Sequence, residues 1–166
     1  MIATLCLLIF LALLLTAAIS DAVRFRIPNW IPAAMIALFP VFMLATLPGF
    51  PVAGLHLLAG ILALLLGMAL FAPGWIGGGD AKLFAAAALW FGWSGLSTFL
   101  LATIIAGGLL SVVLLIGRRM VLFSPTMAVR MDGTALATGG AVPYGIAIAG
   151  GAFWALSRSP MMAILV

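Results

Sequence analysis

Three carboxylates, Asp21, Asp80 and Asp132, are the only acidic side chains in the chain. With 67% of its residues hydrophobic and 6% charged, an acidic group beside an apolar run is costly to keep and usually functional. Asp21 directly follows the apolar run Ile2 to Ser20, and Asp80 directly precedes the run Ala81 to Trp93. If two such carboxyls meet and share a proton, one can take a proton from water while the other polarises a peptide carbonyl, which is peptide hydrolysis without a metal. Each Asp also suits a plainer role. Asp80, after Gly77, Gly78 and Gly79, has the residue type favoured at a helix N-cap. Asp21 lies close enough in sequence to pair with Arg24 or Arg26, and Asp132 beside Gly133 reads as a turn residue.

Other chemistries find less support. There is one His, His56, and one Cys, Cys6, so neither a His/Cys metal site nor a disulfide framework can be assembled, and no metal or cofactor is expected. A Ser nucleophile would need a nearby His or Lys base, and no Ser stands in a G-x-S-x-G turn. Lys82, two positions after Asp80, is suited to contact a substrate, to favour an ionised carboxylate, or to snorkel to headgroups. Tyr144 reads either as an aromatic-belt anchor or as part of a cleft.

The elements that must position these groups are membrane helices. Soluble domains carry about 25% charged residues, far more than this chain can present to water. Charges, Pro and Gly divide it into six apolar segments: Ile2 to Ser20, Trp30 to Leu47, Gly54 to Phe71, Ala81 to Trp93, Leu96 to Gly117 and Val142 to Ser157. The expected fold is an all-α polytopic membrane bundle of about six transmembrane helices, forming one integral membrane domain over residues 1–166. The first run lacks a basic n-region and reads as a retained span rather than a secretory signal. Short, Ala-rich and flanked by Gly, the fourth helix belongs at the centre. Gly60, Gly67, Gly107 and Gly108 mark further close approaches, and Pro40 should bend the second helix. The polar stretch from Arg118 to Ala141 suits the membrane interface.

Cations set the orientation. Arg24 and Arg26 in the first loop, Lys82 at the edge of the third, and Arg118, Arg119 and Arg130 in the fifth place the odd loops in the cytoplasm and both termini outside it, with Arg158 alone dissenting. The cations are scattered over loop ends, so nucleic acid is not an expected partner and the lipid bilayer is. Asp21 and Asp80 then share the cytoplasmic boundary. Helix-end polarity suggests a division of labour, with Asp80, at a positive helix start, the ionised base and Asp21, at a negative helix end, the protonated partner.

Three strings carry a family resemblance. Asp21-Ala-Val-Arg-Phe-Arg-Ile-Pro-Asn29 resembles the segment after the first helix of type IV prepilin peptidases, although Arg26 stands directly before Ile27, a looser spacing than the family pattern. Gly77-Gly-Gly-Asp-Ala-Lys-Leu83 is similar to their G-x-G-D-x-K-L segment, and Val142-Pro-Tyr-Gly-Ile-Ala-Ile148 to their P-[YF]-G-x-A segment. The resemblance implies that Asp21 and Asp80 are the catalytic pair of an intramembrane aspartyl peptidase. It also implies that Arg26, Pro28, Asn29, Gly77, Gly79, Lys82, Pro143 and Tyr144 support the motifs or the substrate. The substrate implied is a membrane-inserted prepilin or pseudopilin, cut at the cytoplasmic face of a bacterial inner membrane. The N-terminal cytoplasmic insertion of the larger, methylating members is not found, so the implied branch is the small peptidase-only one that serves Flp-type, tight-adherence pili. The rival reading is a small transporter or channel with the Asp pair as a proton or cation relay; against it, both Asp residues sit at one boundary rather than near the midplane.

Overall fold

The computed structural model describes residues 1–122, 134–137 and 140–164. Arg130, Asp132 and most of the polar stretch between the last two long helices lie outside the described residues. Among those described, the secondary structure is entirely helical. The elements are α1 (Ile2–Arg24), α2 (Trp30–Thr46), α3 (Phe50–Phe71), a run Gly78–Leu122 broken at Gly92, α6 (Tyr144–Ser157) and a terminal 3₁₀ turn, Pro160–Ile164. The break divides the long run into α4 (78–91) and α5 (93–122). Three runs, Ile2–Arg24, Phe50–Phe71 and Gly78–Val121, are long and apolar enough to cross a membrane, and α2 and α6 are shorter apolar helices. The chain is an all-α membrane bundle.

The ends of the helices differ from the apolar segments in informative ways. α1 continues one turn beyond Asp21 and closes at Phe25, whose left-handed backbone (φ 50°) lets its N–H reach the Asp21 carbonyl at 2.9 Å. α3 begins at Phe50 because Pro51 stands in its first turn, where the missing N–H costs no helical bond. Gly92 to Gly95 is not a loop: the helix resumes at once after a single residue at φ 62° and ψ −171°, a conformation open to Gly and strained for others.

That one residue reverses the chain. Phe84 and Phe99 stack with ring centroids 5.0 Å apart, whereas a straight helix would separate them by about 22 Å. α4 and α5 therefore form a hairpin. Its bend is held by His56 of α3, which donates from Nδ1 to the Leu89 carbonyl at 2.8 Å and fills the space that a side chain at Gly92 would need. A helix end leaves its last carbonyls without partners, and His56 satisfies one of them.

α4 is buried almost all round, from Leu83 to Phe91, as its Ala-rich sequence suggested. Its Trp90 is fully enclosed, stacked on Phe10 (4.5 Å) and beside Phe42 (5.1 Å), with the indole N–H donating to the Met35 carbonyl at 3.1 Å. Each aromatic pair adds about 0.5–1.5 kcal/mol of packing beyond area alone. α1 supplies one stripe, Leu7, Phe10, Leu14, Ala17 and Asp21, and turns Leu8, Leu15 and Ile19 outward. Gly60 and Gly67 bring α3 against Leu89 and Ala81, and a Cβ at Gly67 would stand 2.9 Å from that of Ala81. Gly151 presses α6 onto Thr103 of α5. Gly107 and Gly108 depart from this pattern. Among the described residues Gly107 would meet only Ala147, at 3.7 Å, and a Cβ at Gly108 would meet nothing within 4 Å. Cys6 is buried in the core, and Arg158 stacks its guanidinium on Trp154 at 4.8 Å.

Candidate active site

The first and third connections and the start of α6 converge at one end of the bundle, away from His56 and the hairpin bend. Asp21 and Asp80 are both buried there, and both line the same two cavities. The larger, about 660 Å³, is also lined by Arg26, Pro28, Asn29, Gly77, Gly79 and Lys82. The smaller, about 430 Å³, brings in Tyr144, Trp75 and Val142. Eight of the ten residues singled out from the sequence thus share one polar cavity, and Tyr144 joins the two Asp residues in the other. Pro143 lines neither; it occupies the N-cap position of α6 and sets where that helix begins.

Each Asp is held by one backbone N–H. Gly77 opens α4, since its carbonyl accepts the first helical bond from Ala81 N–H (3.1 Å), and its own N–H donates to Asp80 Oδ2 at 3.1 Å. Asp80 is therefore not the N-cap that its position suggested: Gly77 takes that place, and Asp80, in the first turn of α4, reaches back to the Gly77 N–H with one oxygen. Its other oxygen, Oδ1, is buried with no hydrogen-bond partner among the described residues. Such an atom is rare in a folded protein.

Asp21 is held from across the chain. Its Oδ2 accepts the Gly145 N–H at 2.7 Å, within the first turn of α6, rather than a bond from Arg24 or Arg26. This alters the division of labour inferred from helix ends. Asp21 closes α1, but the start of α6 points its unpaired N–H groups at the same carboxylate. Both carboxylates face the start of a helix, so helix polarity does not distinguish them.

Glycines make these contacts possible. A Cβ at Gly77 would lie 2.8 Å from Asp80 Oδ2, and one at Gly145 would lie 2.9 Å from the Asp21 Cβ and 3.0 Å from its Oδ2. Ile27, buried in the first connection, is wedged between two of them: a Cβ at Gly79 would stand 3.2 Å from its Cβ, and one at Gly145 would stand 3.1 Å from its Cδ1. The connection itself is closed by Ser20, whose hydroxyl donates to the Arg26 carbonyl at 2.8 Å. Lys82 donates to Asn29 Oδ1 at 3.0 Å, tying the start of α4 to the start of α2. Gly145 and Ile27 were not singled out from the sequence, although both stand inside the strings that carried the resemblance.

A cationic rim surrounds the pair. Arg24, Arg26 and Lys82 line the polar cavity with exposed side chains. Arg118 donates to the Ala135 and Gly140 carbonyls at 2.9 and 2.6 Å, anchoring the described part of the following stretch. Among the described residues no three His, Cys, Asp or Glu side chains come together as a metal site. The groups present are those of acid–base chemistry: two buried carboxyls on one cavity, one with an oxygen that has no partner among the described residues.

Neither the curated proteins nor the solved structures contain a match to the chain. The type IV leader peptidase family matches residues 8–112, a span that contains Asp21, Asp80 and the first two of the three strings and ends before the third. Since that match covers well over half of the sequence, the chain belongs to the type IV leader peptidase family.

Proposed function

We propose that the chain is an intramembrane aspartic endopeptidase that removes the leader of a prepilin or pseudopilin at the cytoplasmic face of a bacterial inner membrane, with Asp21 and Asp80 as its catalytic pair. The observation that carries this reading is the meeting of two buried carboxylates, distant in sequence, on one polar cavity at one end of the bundle. Two carboxyls so placed hold one proton between them. The ionised one takes a proton from water as the water oxygen bonds to the peptide carbonyl carbon. The protonated one gives its proton to the carbonyl oxygen. Collapse of the resulting diol breaks the C–N bond: the carboxyl that took the water proton gives it to the leaving amine, and the other carboxylate takes a proton from a diol hydroxyl, restoring the pair. Asp80 Oδ1, with no partner among the described residues, is the atom best suited to meet the water or the carbonyl.

The reading extends to hydrolysis without methyl transfer and to the Flp-type, tight-adherence branch. It assigns Lys82 and Asn29 to holding the two connections together, Gly77, Gly79 and Pro143 to backbone placement, and Arg26, Pro28 and Tyr144 to the cavity walls that a leader would meet. Nothing in the geometry favours a relay through the membrane, because both carboxylates lie at one end of the bundle.

Co-expression with candidate precursors from the same genome tests this function. One precursor should lose its leader, seen as a mobility shift, and its new N-terminus should be unmethylated by intact mass. If every precursor remains uncut, or the cut persists when both Asp residues are replaced by Asn, the reading fails.

Orientation is tested separately. Reporters fused after Arg26 and after Arg119 should read cytoplasmic, and those fused after Gly49 and Ser94 external, because retained cations orient short loops. A cytoplasmic reading at Gly49 would contradict this topology.

A further inference from the structure

A cavity of about 290 Å³ runs between α3, α5 and α6, separate from the polar cavity except at one residue. Its walls are apolar, and it follows one face of α5 from Leu100 through Ile104, Gly107 and Gly108 to Ser111, a length of about 16 Å at helical rise. Asp80 lines both this groove and the polar cavity. A ligand lying in the groove would therefore pass from apolar walls to a polar, cation-rimmed cavity at the carboxylate itself.

The glycines of this face are packed less closely than the others. Gly67, Gly145 and Gly151 each admit a neighbouring element so closely that a Cβ would collide with it, and Gly60 leaves one only a tight fit. Gly107 is buried in ordinary contact with Ala147, and Gly108 is exposed, with nothing among the described residues within 4 Å of a Cβ built on it. In a bilayer, where lipid tails are as apolar as Leu, small residues on a helix face serve the close approach of another helix rather than an acyl chain. A second observation also points to a ligand: among the described residues two buried side-chain atoms have no hydrogen-bond partner, Asp80 Oδ1 and Thr103 Oγ1, and both residues line this groove.

We propose that the groove seats the hydrophobic helix of the membrane-inserted precursor against the Gly107, Gly108 and Ser111 face of α5, so that the end of that helix is delivered to Asp80. The inference rests on the peptidase reading above and adds the place where its substrate docks. Specificity follows from it. The docking face accepts an apolar helix whose contact stripe lets backbones approach closely, and the helix must end where the groove meets the polar cavity.

The test uses the full chain with Asp21→Asn and Asp80→Asn together, so that the precursor persists, reconstituted with a prepilin-type precursor in phosphatidylethanolamine and phosphatidylglycerol vesicles. A benzophenone side chain placed at Ile104 or Gly108 should capture the hydrophobic helix of the precursor about tenfold more than one placed at the exposed Leu109 or Val113, on another face of α5. In the active chain, Gly108→Leu fills open space and should lower kcat/KM for the same precursor about tenfold, mainly through KM, while Gly54→Leu, equally open but outside the groove, should stay within about twofold. Uniform capture, capture of lipid or of a second copy of this chain alone, or equal effects of the two Leu substitutions would overturn the docking site. Capture at the groove without any Asp-dependent cleavage would instead overturn the peptidase reading and leave the groove standing.

Discussion

Replacing either Asp21 or Asp80 by Asn is expected to lower precursor cleavage by about 10³-fold or more, because each carboxyl supplies general acid–base catalysis of about 10²–10⁴-fold and neither works without the other. The double replacement should be scarcely worse than either single one, since residues that act as a unit are not additive. Asn matches Asp in shape, so the protein should still insert in the membrane and unfold at nearly the same temperature. At position 21 the amide oxygen can keep the bond from the Gly145 N–H. At position 80 it can keep the bond from the Gly77 N–H. Initial rates on reconstituted protein, beside thermal unfolding of each variant, separate loss of chemistry from loss of fold. A single Asn variant that retains cleavage within about tenfold of the original would remove that carboxylate from the chemistry.

The second large effect is expected at a residue with no side chain. Gly145→Ala places a methyl 2.9 Å from the Asp21 Cβ and 3.0 Å from its Oδ2, with Ile27 Cδ1 at 3.1 Å on another side. Real Cβ atoms do not sit so close to their neighbours, so the carboxylate, the start of α6 or the first connection must shift, and the 2.7 Å hydrogen bond from the Gly145 N–H breaks first. A displacement of about 1 Å in a catalytic group lowers turnover by about 10²-fold, and overpacking at a buried position costs about 1–3 kcal/mol of stability. Gly150→Ala, five residues beyond Gly145, is the matched control. Its Cβ would meet only Ala106, at 3.9 Å, and both rate and stability should stay near those of the original. Should Gly145→Ala cut precursor as fast as Gly150→Ala, the placement of Asp21 by α6 would have no catalytic consequence.

Much of the architecture could be read in the residues. The ends of α2, α3 and α6 at Thr46, Phe71 and Ser157 fall within a residue of those expected, because Pro, Gly and charges interrupt apolar runs sharply. The central place of α4 followed from its Ala content, and the close approaches of α3 followed from Gly60 and Gly67. Other boundaries were displaced for definable reasons. A hydrophobic run marks where the apolar environment ends, not where helical hydrogen bonding ends, so α1 carries on through Asp21 to Arg24. The apolar runs Ala81 to Trp93 and Leu96 to Gly117 looked like two helices with a short break after Trp93, whereas the chain turns at Gly92. Only the structure makes it the sole non-helical residue of the run, and nothing in the sequence links it to His56, which holds the bend.

For the site, residue types and their order were enough to pick out Asp21, Asp80 and the strings around them. Local chemistry decides such features: the cost of a carboxylate beside apolar residues, the freedom of glycine, and the retention of cations on one side. Which faces meet was a matter for the tertiary structure alone. In water an apolar stripe tells the core side of a helix from the solvent side, but in a bilayer the lipid is as apolar as the core and both sides of α1, α3 and α5 read alike. The sequence therefore contained no sign that α6 would set its first N–H groups on Asp21, that Gly108 would be left exposed while Gly151 closed on Thr103, or that Asp80 would keep one oxygen without a partner among the described residues. Those outcomes depend on how closely particular helices approach, which small residues permit at several places and only the packed bundle selects.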